Sequence, residues 1–116
     1  MIITHIIERE RWEGAMLAGT YHAESLDSEG FIHFSKPEQV ERTANRFYHG
    51  KTDLVLLIIE TDRVKGEVIF EPPSHPTFEG EVFPHVYGEL NTDAVIRVVD
   101  LPMLPDGSFK FDPSAI

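Results

Sequence analysis

Apolar and polar positions change their period several times along the 116 residues, and each change marks an element. Ile2-Ile3-Thr4-His5-Ile6-Ile7 is rich in β-branched side chains and stops at a charged run, which predicts a strand. From Glu8 the spacing turns helical. Trp12, Ala15, Met16 and Gly19 fall at i, i+3, i+4 and i+7, with Glu8 and Glu10 near the positive N-terminal end and Gly19 as the cap. Gly14 inside that helix costs about 1 kcal/mol relative to alanine, so packing must hold it. Gly30-Phe31-Ile32-His33-Phe34 reads as a short strand that feeds straight into a second helix. Its start is written Ser35-Lys36-Pro37-Glu38, a serine cap with glutamate three residues on and proline in the first turn. Val40, Thr43, Ala44 and Phe47 carry its inward stripe, and Gly50 ends it. Leu54-Val55-Leu56-Leu57-Ile58-Ile59 is an unbroken apolar run between Asp53 and Glu60, the pattern of a central strand covered on both faces.

Beyond it, Glu67-Val68-Ile69-Phe70 predicts another strand. Pro72, Pro73 and Pro76 then exclude a helix or an inner strand and predict a loop. Val82-Phe83-Pro84-His85-Val86-Tyr87-Gly88 is strand-like, with Pro84 implying an edge or a bend, and the stretch from Ala94 to Val99 is a last strong strand. The tail from Leu101 to Ile116 holds a Pro105-Asp106-Gly107 turn and is expected as a hairpin or a loose end. The expectation is one domain over residues 1–116 with its core at about 2–100. Its class is α+β, an antiparallel or mixed sheet with two packed helices.

Charge narrows the partners. Ten basic against twenty acidic residues give −10, so a face that neutralises a nucleic-acid duplex or an anionic membrane is not expected. The absence of cysteine removes disulfides, thiolate metal sites and a thiol nucleophile. The first apolar run is too short and too polar for a secretory signal, and no stretch approaches the ~18 apolar residues of a membrane helix, so a cytoplasmic protein is expected.

Three constellations can carry chemistry. His33 and Ser35 stand where a strand meets a helix start, a place that holds phosphate, ribose or carboxylate, although a serine cap alone also accounts for Ser35. His85 and Tyr87 alternate between Pro84 and Gly88, so both side chains project to one face, either toward a ligand or toward solvent. Glu71 closes a strand just before two prolines, where the backbone is stiff; Glu79, Glu81 and Glu89 are further acids nearby. The six histidines show no H-x-H, no H-E-x-x-H and no helical i, i+4 pair, so no local metal site is expected. Nucleophile-elbow, P-loop and dinucleotide fingerprints are likewise absent. A two-histidine phosphoesterase needs two H-x-S/T elements. His33-Phe34-Ser35 is one, and His75-Pro76-Thr77 is formally the other, within the proline-rich loop.

The strings Glu29-Gly30-Phe31-Ile32-His33-Phe34-Ser35 and Phe83-Pro84-His85-Val86-Tyr87-Gly88, with Trp12, Ser25-Leu26, Ala44-Asn45-Arg46-Phe47-Tyr48 and Glu71-Pro72, resemble a family of small bacterial proteins, uncharacterised-domain family nine-five-two. The resemblance runs in order from Ile2 to Val99. It implies a fold similar to that of ADP-ribosyltransferases, a split sheet whose cleft binds NAD in the active members. By that resemblance His33 matches the residue that contacts the NAD ribose, Tyr87 or Tyr48 the ring that stacks on nicotinamide, and Glu71 or Glu89 the carboxylate; the site expected has catalytic roles for His33, Glu71 and His85 and substrate contacts from Ser35, Asn45, Tyr48 and Tyr87. A glutamate there would meet the positive charge that forms on the ribose carbon as nicotinamide leaves. Two positions depart from the family pattern: Glu89 stands where proline is more frequent and Phe34 where cysteine is. The function expected is thus a cleft for a nucleotide or ribosyl ligand, with NAD as a substrate for ADP-ribose transfer. The alternatives are a non-catalytic binding or interaction module and, more weakly supported, the phosphoesterase.

Overall fold

The computed structural model describes residues 1–73 and 80–116. Most of the proline-rich stretch, with His75 and Glu79, lies outside the described residues. Among the described residues two three-stranded antiparallel sheets and a two-stranded ribbon make up the β-structure, and every pairing is antiparallel. In the first sheet β4 (Leu54–Glu60) lies between β1 (Ile2–Glu8) and β8 (Val95–Leu101). Alternation along β4 sends Val55, Leu57 and Ile59 into one apolar cluster with Ile3, Ile7 and Trp12. It sends Leu54, Leu56 and Ile58 into a second cluster with Ile6, Val40 and Ala44. Both faces are therefore covered, which is why this strand tolerates no polar position. The outer edge of β8 carries exposed Ile96 and Val98, and the ladder to β4 slips register between Ile58 and Ile59.

Helix α1 (Arg9–Ala18) packs Trp12 and Ala15 inward and ends at Gly19, whose N–H donates to the Ala15 carbonyl at 2.8 Å and whose φ of 81° then turns the chain out of the helix. Met16, expected in that stripe, is 53% exposed, so the buried stripe is narrower than its periodicity suggests. The ribbon pairs β2 (Thr20–Tyr21) with β7 (Leu90–Asn91). A short α2 (Glu24–Ser28) follows β2, so the described residues hold three α-helices rather than the two expected. Five residues with one apolar anchor, Leu26, give no periodic signal to read.

The second sheet has the order β3 (Ile32–His33), β6 (Phe83–Tyr87), β5 (Glu67–Glu71). Here Pro84 corrects the sequence reading, for β6 is the middle strand, not an edge. In an antiparallel ladder the N–H and C=O of one residue face the same neighbour. The Pro84 carbonyl accepts from Phe34 N–H at 3.0 Å, so its missing donor also faces the β3 side, where that two-residue strand is already ending. The ladder to β5 loses nothing.

Among the described residues one isolated backbone bridge pairs the two sheets. Thr4 N–H donates to the Ser35 carbonyl at 2.8 Å and Ser35 N–H to the Thr4 carbonyl at 2.9 Å. That bridge keeps Ser35 extended and overturns its expected role as helix cap. Residues Pro37–Gln39 instead form a single 3₁₀ turn, in which Lys36 N–H donates to Gln39 Oε1 at 2.9 Å. Helix α3 (Val40–Phe47) begins only after it, with Val40 and Ala44 fully buried. Gln39, itself 2% exposed, spends its Nε2 on the Val82 carbonyl at 2.9 Å and so fixes the approach to β6.

The tail does not hang loose. Leu104 N–H donates to the Ser108 carbonyl and Gly107 N–H to the Leu104 carbonyl, each at 2.8 Å, which closes the turn that Pro105-Asp106-Gly107 announces. Phe109 is then buried against the second cluster. Asn45 locks it there: its Nδ2 donates to the Phe109 carbonyl at 3.0 Å and its Oδ1 accepts Phe109 N–H at 2.7 Å. Among the described residues no helix is long and apolar enough to cross a membrane.

Two consequences can be measured. Asn45→Ala strands both backbone groups of Phe109 and is expected to cost about 2 kcal/mol, at roughly 1 kcal/mol per hydrogen bond. The urea midpoint should fall, and proteolysis should begin after β8. His5 gives a pH signature. It is buried between the Tyr21 and Phe34 rings, with Nδ1–H donating to the His33 carbonyl at 2.6 Å, and burial lowers its pKa from 6.5 to about 4. The unfolded chain therefore takes up this proton first as pH falls, so stability drops from pH 6.5 toward 4 and is insensitive to this group above that window. The loss is on the order of 3 kcal/mol. Urea midpoints of the native chain and His5→Gln should converge as pH falls; parallel profiles would refute the assignment.

Candidate functional site

Because β3 and the start of α3 diverge beyond the Thr4–Ser35 bridge, a cleft of about 360 Å³ opens between the second sheet and α3. Its sheet wall carries His33 and Ser35 from the β3 segment and Phe83 and His85 from β6, alternate residues that share one face. Thr4, His5 and Ile6 of β1 line it at the junction. Thr43, Phe47, Tyr48 and Lys51, on and just after α3, form the opposite wall, and Pro73 adds to the rim. The Lys51 ammonium sits 5.9 Å from the centre of the Tyr48 ring, and burial raises the Tyr48 phenol pKa. Ser35 Oγ donates to Thr43 Oγ1 at 3.4 Å, a contact that spans the cleft.

The two strings singled out in the sequence meet directly. His33 pairs with His85 across the ladder, and their ring centres are 5.3 Å apart at 81°. Each imidazole has one nitrogen tied by a carboxylate. His33 Nε2 donates to Glu29 Oε2 at 2.8 Å, and His85 Nδ1 donates to Glu71 Oε1 at 2.6 Å. The same Glu71 oxygen accepts from Tyr87 Oη. Those two bonds, Tyr87 first and His85 second, hold the Glu71 carboxyl below its usual pKa, while the carboxylate raises that of Tyr87. Phe31 lies over His85 with centres 4.1 Å apart and planes at 21°, and so fixes the ring. His85 is 1% exposed. Its Nε2, with less than 1 Å² accessible, has no hydrogen-bond partner among the described residues.

The expected site residues thus separate into groups. His33, Ser35, Tyr48 and His85 line the cleft. Glu71 and Tyr87 stand behind His85 and act on it through hydrogen bonds. Asn45 does not reach the cleft, since both ends of its amide are spent on Phe109. Glu89 lies elsewhere, accepting from His22 Nδ1 at 3.0 Å. The sequence reading missed Glu29, although its four-residue spacing from His33 was readable. It also missed Phe31, whose role depends on a ring from another strand, and Lys51, which carries no local pattern at all.

Three solved structures are similar to this chain, all of protein CC0527 from Caulobacter crescentus. Its crystal structure is 31% identical, with a TM-score of 0.84, over 95% of this chain and 94% of that one. The crystal structure of a double methionine variant of it gives 0.83 at the same identity and coverage. The solution NMR structure is 30% identical with a TM-score of 0.69, over 92% and 90% of the two chains. No curated protein matches. A family model described as protein of unknown function (DUF952) matches residues 6–98, a span that takes in the end of β1, the histidine-bearing strands β3 and β6, and α3. With four-fifths of its length matched in this way, the chain belongs to the DUF952 family.

Proposed function

We propose that the cleft binds a nucleotide-like ligand through its ribose, and that the protein is ADP-ribosyltransferase-like, taking NAD as the ribosyl donor. The observation that carries this reading is the opposition of two chemistries across one narrow space. The sheet wall offers imidazoles and hydroxyls, from His33, His85, Ser35 and Thr4, which suit the hydroxyls of a sugar. The helix wall offers the rings of Phe47 and Tyr48, on which a planar base stacks, with the Lys51 ammonium beside them for a phosphate. In a chain of net charge −10, a cation retained at a cleft favours an anionic ligand group there. The cleft's volume falls at the small end of the roughly 300–1,000 Å³ range of ligand pockets, which fits a mononucleotide or one half of a dinucleotide. The antiparallel sheet, split in two with the cleft at the division, agrees with the fold that the sequence resemblance implies.

The test is a titration of NAD, ADP-ribose and nicotinamide followed through the imidazole signals of His33 and His85. NAD and ADP-ribose are expected to shift both by millimolar concentration. Lys51→Ala should weaken ADP-ribose by about tenfold or less, as for one charged contact of 1–1.5 kcal/mol. Neither imidazole responding to any of the three ligands would overturn the reading.

A further inference from the structure

Among the described residues the buried Nε2 of His85 has no partner, and this bears on the second substrate. This inference rests on the cleft binding NAD and concerns only the group that receives the ribose. We propose that His85 is the base that takes the acceptor's proton, and that the acceptor is therefore a hydroxyl, either water or an alcohol.

A buried polar atom left without a partner is unfavourable by about 1–3 kcal/mol, and such atoms in a folded chain call for an explanation. Here the rest of the ring is fully determined. Nδ1–H is committed to Glu71 at 2.6 Å, Phe31 stacks on the ring, and the side chain lines the cleft. Fixing Nδ1 as the donor leaves Nε2 as the atom able to receive a proton. A carboxylate already held ionised by Tyr87 and His85 then offsets the positive charge that the ring acquires. Tyr87 and Glu71 touch no ligand in this scheme; they are positioning residues.

The step balances without any further reagent. The acceptor oxygen bonds to ribose C1′ while the C1′–N bond breaks. Nicotinamide leaves as a neutral molecule, its ring nitrogen keeping the bonding pair. The hydroxyl proton passes to Nε2. A guanidinium or ammonium acceptor does not suit this base, because its nitrogen has no lone pair to attack with until an imidazole has removed a proton held far more tightly than the imidazole's own; a hydroxyl attacks through a lone pair it already carries, and its proton becomes acidic only as the oxygen bonds to C1′. A carboxylate acceptor has no proton to give and would set its negative charge against the Nε2 lone pair.

Two measurements test it, one needing no variant. With NAD as donor, methanol added to the native protein should yield methyl ADP-riboside by mass spectrometry, and agmatine should yield no adduct. At saturating NAD, where a weakened ribose contact no longer enters the rate, His85→Gln should slow nicotinamide release by about 100-fold or more, the usual range for loss of a general base. Labelling of agmatine as readily as of methanol would overturn the inference. So would an undiminished rate in His85→Gln, or ADP-ribose binding with no nicotinamide release from NAD. Failure of NAD and ADP-ribose to bind at all overturns the reading of the cleft and this inference with it.

Discussion

Two backbone hydrogen bonds between Thr4 and Ser35 are the only ladder contact that sews one sheet to the other among the described residues. On one side of the bridge β1 belongs to a sheet covered on both faces; on the other the chain beyond Ser35 turns away through Pro37–Gln39 into α3. A longer pairing would have zipped the sheets together and closed the space between them. No pairing would have left β3, held by β6 alone, without a backbone tie to the first sheet. The bridge holds the histidine-bearing sheet at a set distance from the core, and every lining group inherits that placement.

The polar side of the cleft is then rigid by mutual bonding rather than by burial alone. His33 and His85 lie on adjacent strands, yet each turns a different nitrogen to its carboxylate, Nε2 to Glu29 and Nδ1 to Glu71. The two rings thus differ in the nitrogen that their carboxylate holds, and Phe31 touches both, with centres 4.9 Å from His33 and 4.1 Å from His85. Networks of this kind are stable only when nearly all members are satisfied, which makes the single unsatisfied nitrogen on His85 informative.

Much of the architecture was legible because it rests on local periodicity or on length. The apolar run at Leu54–Ile59 could only be a doubly covered strand, and Gly19 and Gly107 mark their turns through backbone angles of 81° and 87°. What was not legible depends on partners far away in sequence. Ser35 satisfies every local rule for a cap, and a strand 31 residues earlier claims its backbone instead. Pro84 obeys the rule against inner strands until the neighbour facing its missing N–H proves to be short. Asn45 stands within a family-like string, and its partner is 64 residues downstream. For the candidate site, alternation along β6 was read as turning His85 and Tyr87 to one face, and both meet Glu71 there, but the split between lining and supporting residues needed three dimensions.

The slip in the β4–β8 ladder bears on how the molecule meets its own copies. An outermost strand offering Ile96 and Val98 to water is a template on which an unrelated extended segment can stack. The extra residue at the slip bends that margin and breaks its regular row of donors and acceptors, so no long straight addition can register against it. Irregularity here works as insulation: a defect in one ladder keeps the sheet finite.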